Sequence, residues 1–183
     1  MNKKIKKVTG TIAAQASARG AAGISVIRVS GPQAKELFSE ITKKTPVDRN
    51  AAYTTFYGSN DKELDRGVAV FFEGPNSYTG VDVAEFSSHG SPAIVEMILN
   101  RIYELGGREA QPGEFTKRAY LNDKMDLTQA EAVADLIEST SARTAIAAKR
   151  SLAGEFSKKV GDISNKVTAV SYTHLTLPTI YSV

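Results

Sequence analysis

Apolar positions along the first two thirds of the chain follow two different periods. Ile24-Ser-Val-Ile-Arg-Val29 is apolar and β-branched, which predicts a strand. It runs into Ser30-Gly31-Pro32, a helix-start signal. Ala34, Leu37, Phe38 and Ile41 then fall on one face of a helix. Residues 52–58 and 67–72 read as two further strands, with the polar stretch Ser59–Arg66 as a hairpin loop between them. Val83–Ser87 reads as a short fourth strand. Ser91-Pro92 opens an amphipathic helix carrying Ile94, Met97, Ile98, Ile102 and Leu105, and Gly106-Gly107 ends it. This alternation predicts an α/β or α+β domain over residues 1–122.

Beyond it the period is helical only. Thr128-Gln-Ala-Glu131 has the form of a capping box. Val133, Ala134, Ile137, Ser141, Ala145, Ala148 and Leu152 repeat behind it at helical spacing. Gly154 interrupts, and Phe156, Val160, Ile163 and Val167 predict a second helix. No later residues cover these stripes, so residues 123–170 read either as the start of a truncated helical domain or as a hairpin that packs on the first domain or on a second copy. Residues 171–183 carry no charge, whereas all 23 basic and 20 acidic residues precede them. The expectation is a non-native tail, the alternative a native C-terminal strand, and neither attaches a function to His174.

Composition narrows the function classes. Apolar residues make up 42% of the 183 and charged residues 23%, which suits a globular chain with a core. No apolar run reaches the roughly 20 residues of a membrane-spanning helix, and no secretion signal is recognisable. Zero Cys excludes a disulfide scaffold, a thiolate metal site and a Cys nucleophile. Two His leave little for a His-based metal site or triad. No Gly-Lys pair occurs, so there is no P-loop. The net charge of +3 belongs to the N-terminal tip. Without Lys3, Lys4, Lys6 and Lys7 the balance is 19 basic against 20 acidic residues. That tip is either a solvated terminus or an electrostatic arm for RNA.

Four residues stand out by placement. Arg28 lies in an apolar strand, where its cation needs an anionic partner, either a structural carboxylate or a ligand group. Glu85 lies in the strand Val83-Ala84-Glu85-Phe86 and can hold a basic side chain or the paired N–H donors of an amidine-like ligand edge. Lys124 sits between two predicted helices, either solvated or facing a ligand. His89, before Gly90, is either a satisfied capping or core histidine or a ligand contact.

Several longer blocks occur in order: Thr11-Ile-Ala-Ala-Gln-Ala16, Gly23–Pro32, Gly74-Pro-Asn-Ser-Tyr-Thr-Gly80, His89-Gly90, Pro112-Gly-Glu-Phe-Thr-Lys-Arg-Ala-Tyr-Leu-Asn122 and Lys124–Ile137. Over roughly residues 8–170 the sequence resembles the N-terminal part of the MnmE (TrmE) family of tRNA-modification GTPases. The resemblance implies an α+β fold, with a mixed-sheet folate-binding domain similar to aminomethyltransferase domains, followed by part of an all-α helical domain. It implies a cytoplasmic homodimer that acts with the FAD enzyme MnmG (GidA) on the wobble uridine of certain tRNAs at C5. A tetrahydrofolate derivative, 5-formyl- or methylene-tetrahydrofolate, would supply the one-carbon unit. GTP, Mg and K would belong to a GTPase domain that these residues lack. The family's folate contacts fall on Arg28, Glu85 and Lys124, with Tyr78, His89 and Gly90 shaping the pocket. This sequence departs from the family pattern at Val81, where an acidic residue is usual, at Ser17-Ala-Arg-Gly20 in place of Pro-Pro-Gly, and at Ser91 after His89-Gly90. A ligand-free interaction module and RNA binding through the lysine arm are the competing expectations.

Overall fold

The computed structural model describes residues 10–175, with side chains to residue 170. The lysine arm and residues 176–183 therefore lie outside the described residues. The chain divides into two compact units, the first ending at Lys124 and the second beginning at Met125.

The first unit is built on one mixed sheet of six strands: β1 (Ile12–Gln15), β2 (Ala22–Ser30), β3 (Ala52–Tyr57), β4 (Glu63–Phe72), β5 (Val83–Gly90) and β6 (Arg108–Glu109). Their order is β3-β4-β5-β2-β1-β6, antiparallel throughout except for the parallel β1–β6 pair. Side chains alternate between the two faces. Ile27, Val29, Phe56, Ala69, Phe71, Ala84 and Phe86 point to one face, and helices α1 (Ala34–Thr42) and α2 (Pro92–Glu104) supply Leu37, Phe38, Ile41, Val95, Ile98 and Ile102 to the same core. Phe38 is its aromatic hub, edge-on to Phe71 at 6.1 Å and stacked on Phe86 at 6.0 Å between ring centroids. On the other face, α3 (Glu114–Leu121) closes over the ends of β1 and β2, where Arg118 bonds to the carbonyls of Gly10 and Ser30.

Backbone approach is closest at Gly67, on the core face of β4. A Cβ placed there would lie 1.9 Å from the Ser87 carbonyl oxygen and 3.1 Å from the Phe56 ring. Because the first obstacle is backbone in a paired strand, it cannot move aside. Gly67→Ala is expected to destabilise the first unit by about 2–3 kcal/mol, read as a lowered urea midpoint. A change within about 0.5 kcal/mol would contradict this packing.

The sequence reading is corrected at several points. The loop expected over Ser59–Arg66 is shorter: a 3-10 turn covers Ser59–Asp61, and β4 begins at Glu63. Charge in Glu63-Leu-Asp-Arg66 hides the strand, although Leu64 packs against the core. β5 runs to Gly90, so His89 lies in a strand and not after one. Helix α3 is unforeseen, because its eight residues mix three charges with apolar positions and present no long stripe.

The second unit consists of α4 (Leu127–Glu138), α5 (Ala142–Leu152) and α6 (Glu155–Leu175). The capping box sits two residues earlier than the Thr128–Glu131 pattern. Asp126 accepts from the Gln129 N–H at 2.8 Å, and the Gln129 side chain accepts from the Asp126 N–H at 2.9 Å. An Asp at N-cap outcompetes a Thr two residues later. The long helix expected from Thr128 to Leu152 is two helices. Ser139 leaves helical geometry, and Ser141 caps a new start by accepting from the Thr144 N–H at 3.2 Å. Gln129 also donates to the Leu152 carbonyl at 2.8 Å, tying the start of α4 to the end of α5. Gly154 takes φ +82°, the left-handed break expected between α5 and α6. Ile137, Ile146, Phe156, Ile163 and Val167 are exposed. Among the described residues no helix is long and apolar enough to cross a membrane.

Candidate functional site

The face of the sheet opposite the aromatic core carries Arg28 on β2 and Glu85 on β5. The two are cross-strand partners, and the Arg28 Nε donates to Glu85 Oε1 at 2.7 Å. Each thus supplies the charge the other needs in a strand of apolar neighbours. Both side chains remain about a quarter exposed. The pair uses one guanidinium nitrogen and one carboxylate oxygen. Among the described residues, neither Arg28 terminal nitrogen and no second Glu85 oxygen makes a hydrogen bond. A guanidinium offers five N–H donors and a carboxylate about four acceptor positions, so most of the pair's capacity stays open.

Two rings flank it. The Arg28 guanidinium carbon lies 5.3 Å from the centre of the Tyr78 ring and 5.9 Å from that of Phe115, within cation–π range. Tyr78 is tied to the helix that carries Phe115, since the Tyr78 hydroxyl and the Thr116 hydroxyl are 2.9 Å apart. Tyr78 belongs to the loop between β4 and β5. That loop is held by the Gly74 N–H donating to Asp82 at 2.9 Å, by Ser77 donating to the Val81 carbonyl, and by the Ser30–Thr79 hydroxyl pair at 2.7 Å.

Lys124 reaches the same loop from the end of α3. Its ammonium donates to the Pro75 carbonyl at 3.0 Å, and its stem lies against Gly80, where a Cβ would come within 3.2 Å of the Lys124 chain. Gly80 has φ +76°, so this turn favours glycine both for conformation and for the close approach. Asn122 fixes the loop further by donating to the Thr79 carbonyl at 2.6 Å. The structure therefore brings Arg28, Glu85 and Tyr78 together and connects Lys124 to them through one loop.

His89 and Gly90 lie farther along β5. Gly90 alternates to the core face, where a Cβ would meet the Ala22 carbonyl oxygen at 2.3 Å. His89 shares the face of Glu85 and is held by Asp65 of β4. The Asp65 carboxylate accepts from the His89 ring Nδ1 at 2.7 Å and from the His89 N–H at 2.8 Å. Burial works to raise the Asp65 carboxyl. Hydrogen bonds from the His89 ring and from the His89 and Arg66 backbone outweigh it and hold the group below the usual carboxylate range.

Behind the site lies an ion cluster that runs from the surface at Arg108 to the buried Arg118. Arg118 is fully buried and donates to Gly10 and Ser30 carbonyls at 2.9 and 3.1 Å and to Glu114 at 3.1 Å. Arg108 clamps Glu114 through two further contacts of 2.9 and 2.5 Å. These bonds from Arg108, opposed by burial and aided by the Gln111 N–H and Arg118, lower the Glu114 carboxyl to about 2. Burial lowers the Arg118 guanidinium below its ordinary value, with Glu114 opposing.

Phe115, Asp65 and the Arg118–Glu114 pair are absent from the residues singled out by sequence. Phe115 had a local signal, its place in the Pro112–Asn122 block. Glu114 and Arg118 lie in the same block, whereas Asp65 had no such signal, because its partner His89 is 24 residues away. Among the described residues, no cluster of three His, Cys, Asp or Glu could hold a metal ion.

Comparison with known proteins bears on the same unit. Residues 11–124 match the sequence profile of a family described as the N-terminus of the GTP-binding protein TrmE. The chain is similar to the tRNA modification GTPase MnmE of Vibrio vulnificus, 52% identical over 153 residues, which are 83% of this chain and 34% of that protein. The corresponding protein of Baumannia cicadellinicola is 48% identical over 161 residues, 87% of this chain and 35% of that protein. That of Ectopseudomonas mendocina is 51% identical over 150 residues, 82% and 33%. The chain thus spans about a third of the length of the curated relatives it matches.

Proposed function

Because the chain belongs to the TrmE N-terminal family, we propose that its first unit binds a reduced folate on the Arg28 face of the sheet and takes part in tRNA modification within a longer protein. The observation that carries this reading is the half-buried Arg28–Glu85 pair with most of its hydrogen-bonding capacity open beside two aromatic rings.

The donor set fits the head of such a ligand. A reduced pterin has an amino-pyrimidinone edge with adjacent N–H donors, and the free Glu85 oxygen can accept from it. Its O4 and a formyl oxygen are acceptors, which the open Arg28 nitrogens and the Lys124 ammonium suit. Tyr78 and Phe115 offer flat surfaces against the ring system. Bound as 5-formyl- or methylene-tetrahydrofolate, the ligand would supply a one-carbon unit. The protein's own part is to orient the head and shield one side of it from water.

On the same reading the longer protein is a cytoplasmic homodimer that works with the FAD enzyme MnmG (GidA) on wobble uridine C5. Exposed Ile24 and Tyr53 on the open face of the sheet support a self-association surface there. The nucleotide chemistry implied by the name of these relatives, and the GTP, Mg and K expected with it, are assigned to no residue of this chain.

Equilibrium dialysis of the 183-residue chain against 5-formyltetrahydrofolate tests the reading, with saturable binding near one ligand per chain as the expected result. Sedimentation in parallel separates it from a pure interaction module: a dimer that retains no ligand would favour the module.

A further inference from the structure

The Arg28 face of the sheet is ordered in rows by strand register. Val70, Glu85 and Arg28 form one row across β4, β5 and β2. Val68, Ser87 and Val26 form the next. His89 follows, paired with Ile24. At about 3.3 Å per residue, His89 stands roughly 13 Å along β5 from Glu85. The row between them is a half-buried floor of two valines and one serine.

His89 has the features of a built contact. Its side chain is 68% exposed, while that of Asp65 is 8% exposed. Asp65 turns one oxygen to the His89 ring and the other to the His89 backbone N–H. The ring is held at one nitrogen by a largely buried carboxylate that also accepts from the His89 N–H. Its Nδ1 faces Asp65, so Nε2 is the ring nitrogen left to meet a ligand, in the manner of carboxylate-oriented histidines in other sites. Lys124 is tied to the loop that leads into the start of β5, whereas His89 lies near the end of that strand.

We propose that His89, oriented by Asp65, is the second anchor of the ligand held at Glu85, and that it binds the p-aminobenzoyl-glutamate tail. The inference rests on the folate reading above. With the pterin edge at Glu85 and the long axis along β5, the benzoyl ring covers Val26 and Val68, and Nε2 meets the amide or a carboxylate of the tail. The head is then selected by Arg28 and Glu85, and the presence of a tail by His89.

Two ligands distinguish the ends: 5-formyltetrahydrofolate, and 6-methyltetrahydropterin, which has the head and no tail. Calorimetry on the 183-residue chain should show that His89→Ala weakens the folate about tenfold and leaves the tail-less pterin within twofold. Asp65→Asn, which frees the ring without removing it, should weaken the folate alone and by less. Folate affinity within twofold of wild type in His89→Ala overturns the inference, as does an equal loss for both ligands. Either result leaves the folate reading standing if Glu85→Ala still loses both ligands. Wild-type protein that binds neither ligand overturns that reading, and this inference with it.

Discussion

Replacing Arg118 with alanine is expected to destabilise the first unit by about 3–5 kcal/mol. The guanidinium is fully buried and serves three elements together: the Gly10 carbonyl before β1, the Ser30 carbonyl at the end of β2, and Glu114 in the first turn of α3. Truncation leaves two carbonyls without their donor and a cavity where a long side chain lay. Glu114 keeps Arg108, so the loss is not that of a stranded carboxylate. Urea unfolding of wild type and Arg118→Ala measures the difference. A loss below about 1 kcal/mol would show that the cluster contributes little to holding α3.

The same cluster sets an acid limit. Glu114 is lowered from an ordinary carboxylate value to about 2, chiefly by Arg108. A carboxyl whose folded value is depressed binds fewer protons folded than unfolded. Its stabilisation is therefore complete above the unfolded value, near 4.5, and is lost as pH falls from there toward 2. The wild-type stability curve should drop through that window, and Glu114→Gln should flatten it. The consequence reaches the site, because α3 carries Phe115 against Arg28 and leads through Asn122 to Lys124.

The second large effect is on the ligand. Glu85→Ala is expected to weaken 5-formyltetrahydrofolate by about a hundredfold, some 2.7 kcal/mol. The substitution removes the proposed acceptor of the pterin edge and leaves the Arg28 cation half-buried with no carboxylate beside it. Were the pair only a structural cross-strand bridge, Glu85→Ala would lower the urea midpoint and leave ligand affinity intact. Measuring both quantities on one protein preparation separates the two roles. Glu85→Gln sharpens the comparison, since the amide keeps the shape but loses the charge and turns one acceptor into a donor.

Local pattern carried a good part of this fold. Ile27 and Val29 declared β2, and Leu37, Phe38 and Ile41 declared the buried face of α1, because each stretch packs against one core with one period. Pattern failed where a charged residue is inside for tertiary reasons. Arg118 made α3 look like surface, and its role depends on carbonyls 108 and 88 residues away. The site was legible to the same extent. A lone cation in an apolar strand and a lone carboxylate in another could each be flagged. That they answer each other across 57 residues follows only from strand register. Asp65 was hidden twice, by the polarity of the start of β4 and by a partner 24 residues away.

The central claim is that Glu85 receives the pterin edge beside Arg28. A crystal structure of the 183-residue chain grown with 5-formyltetrahydrofolate tests it most directly. The expected result is the amino-pyrimidinone edge within hydrogen-bond distance of Glu85, with the ring system against Tyr78 and Phe115. A folate bound elsewhere, for example in the groove between α2 and the Gln15–Gly20 segment, with the Arg28–Glu85 pair unchanged, would contradict it.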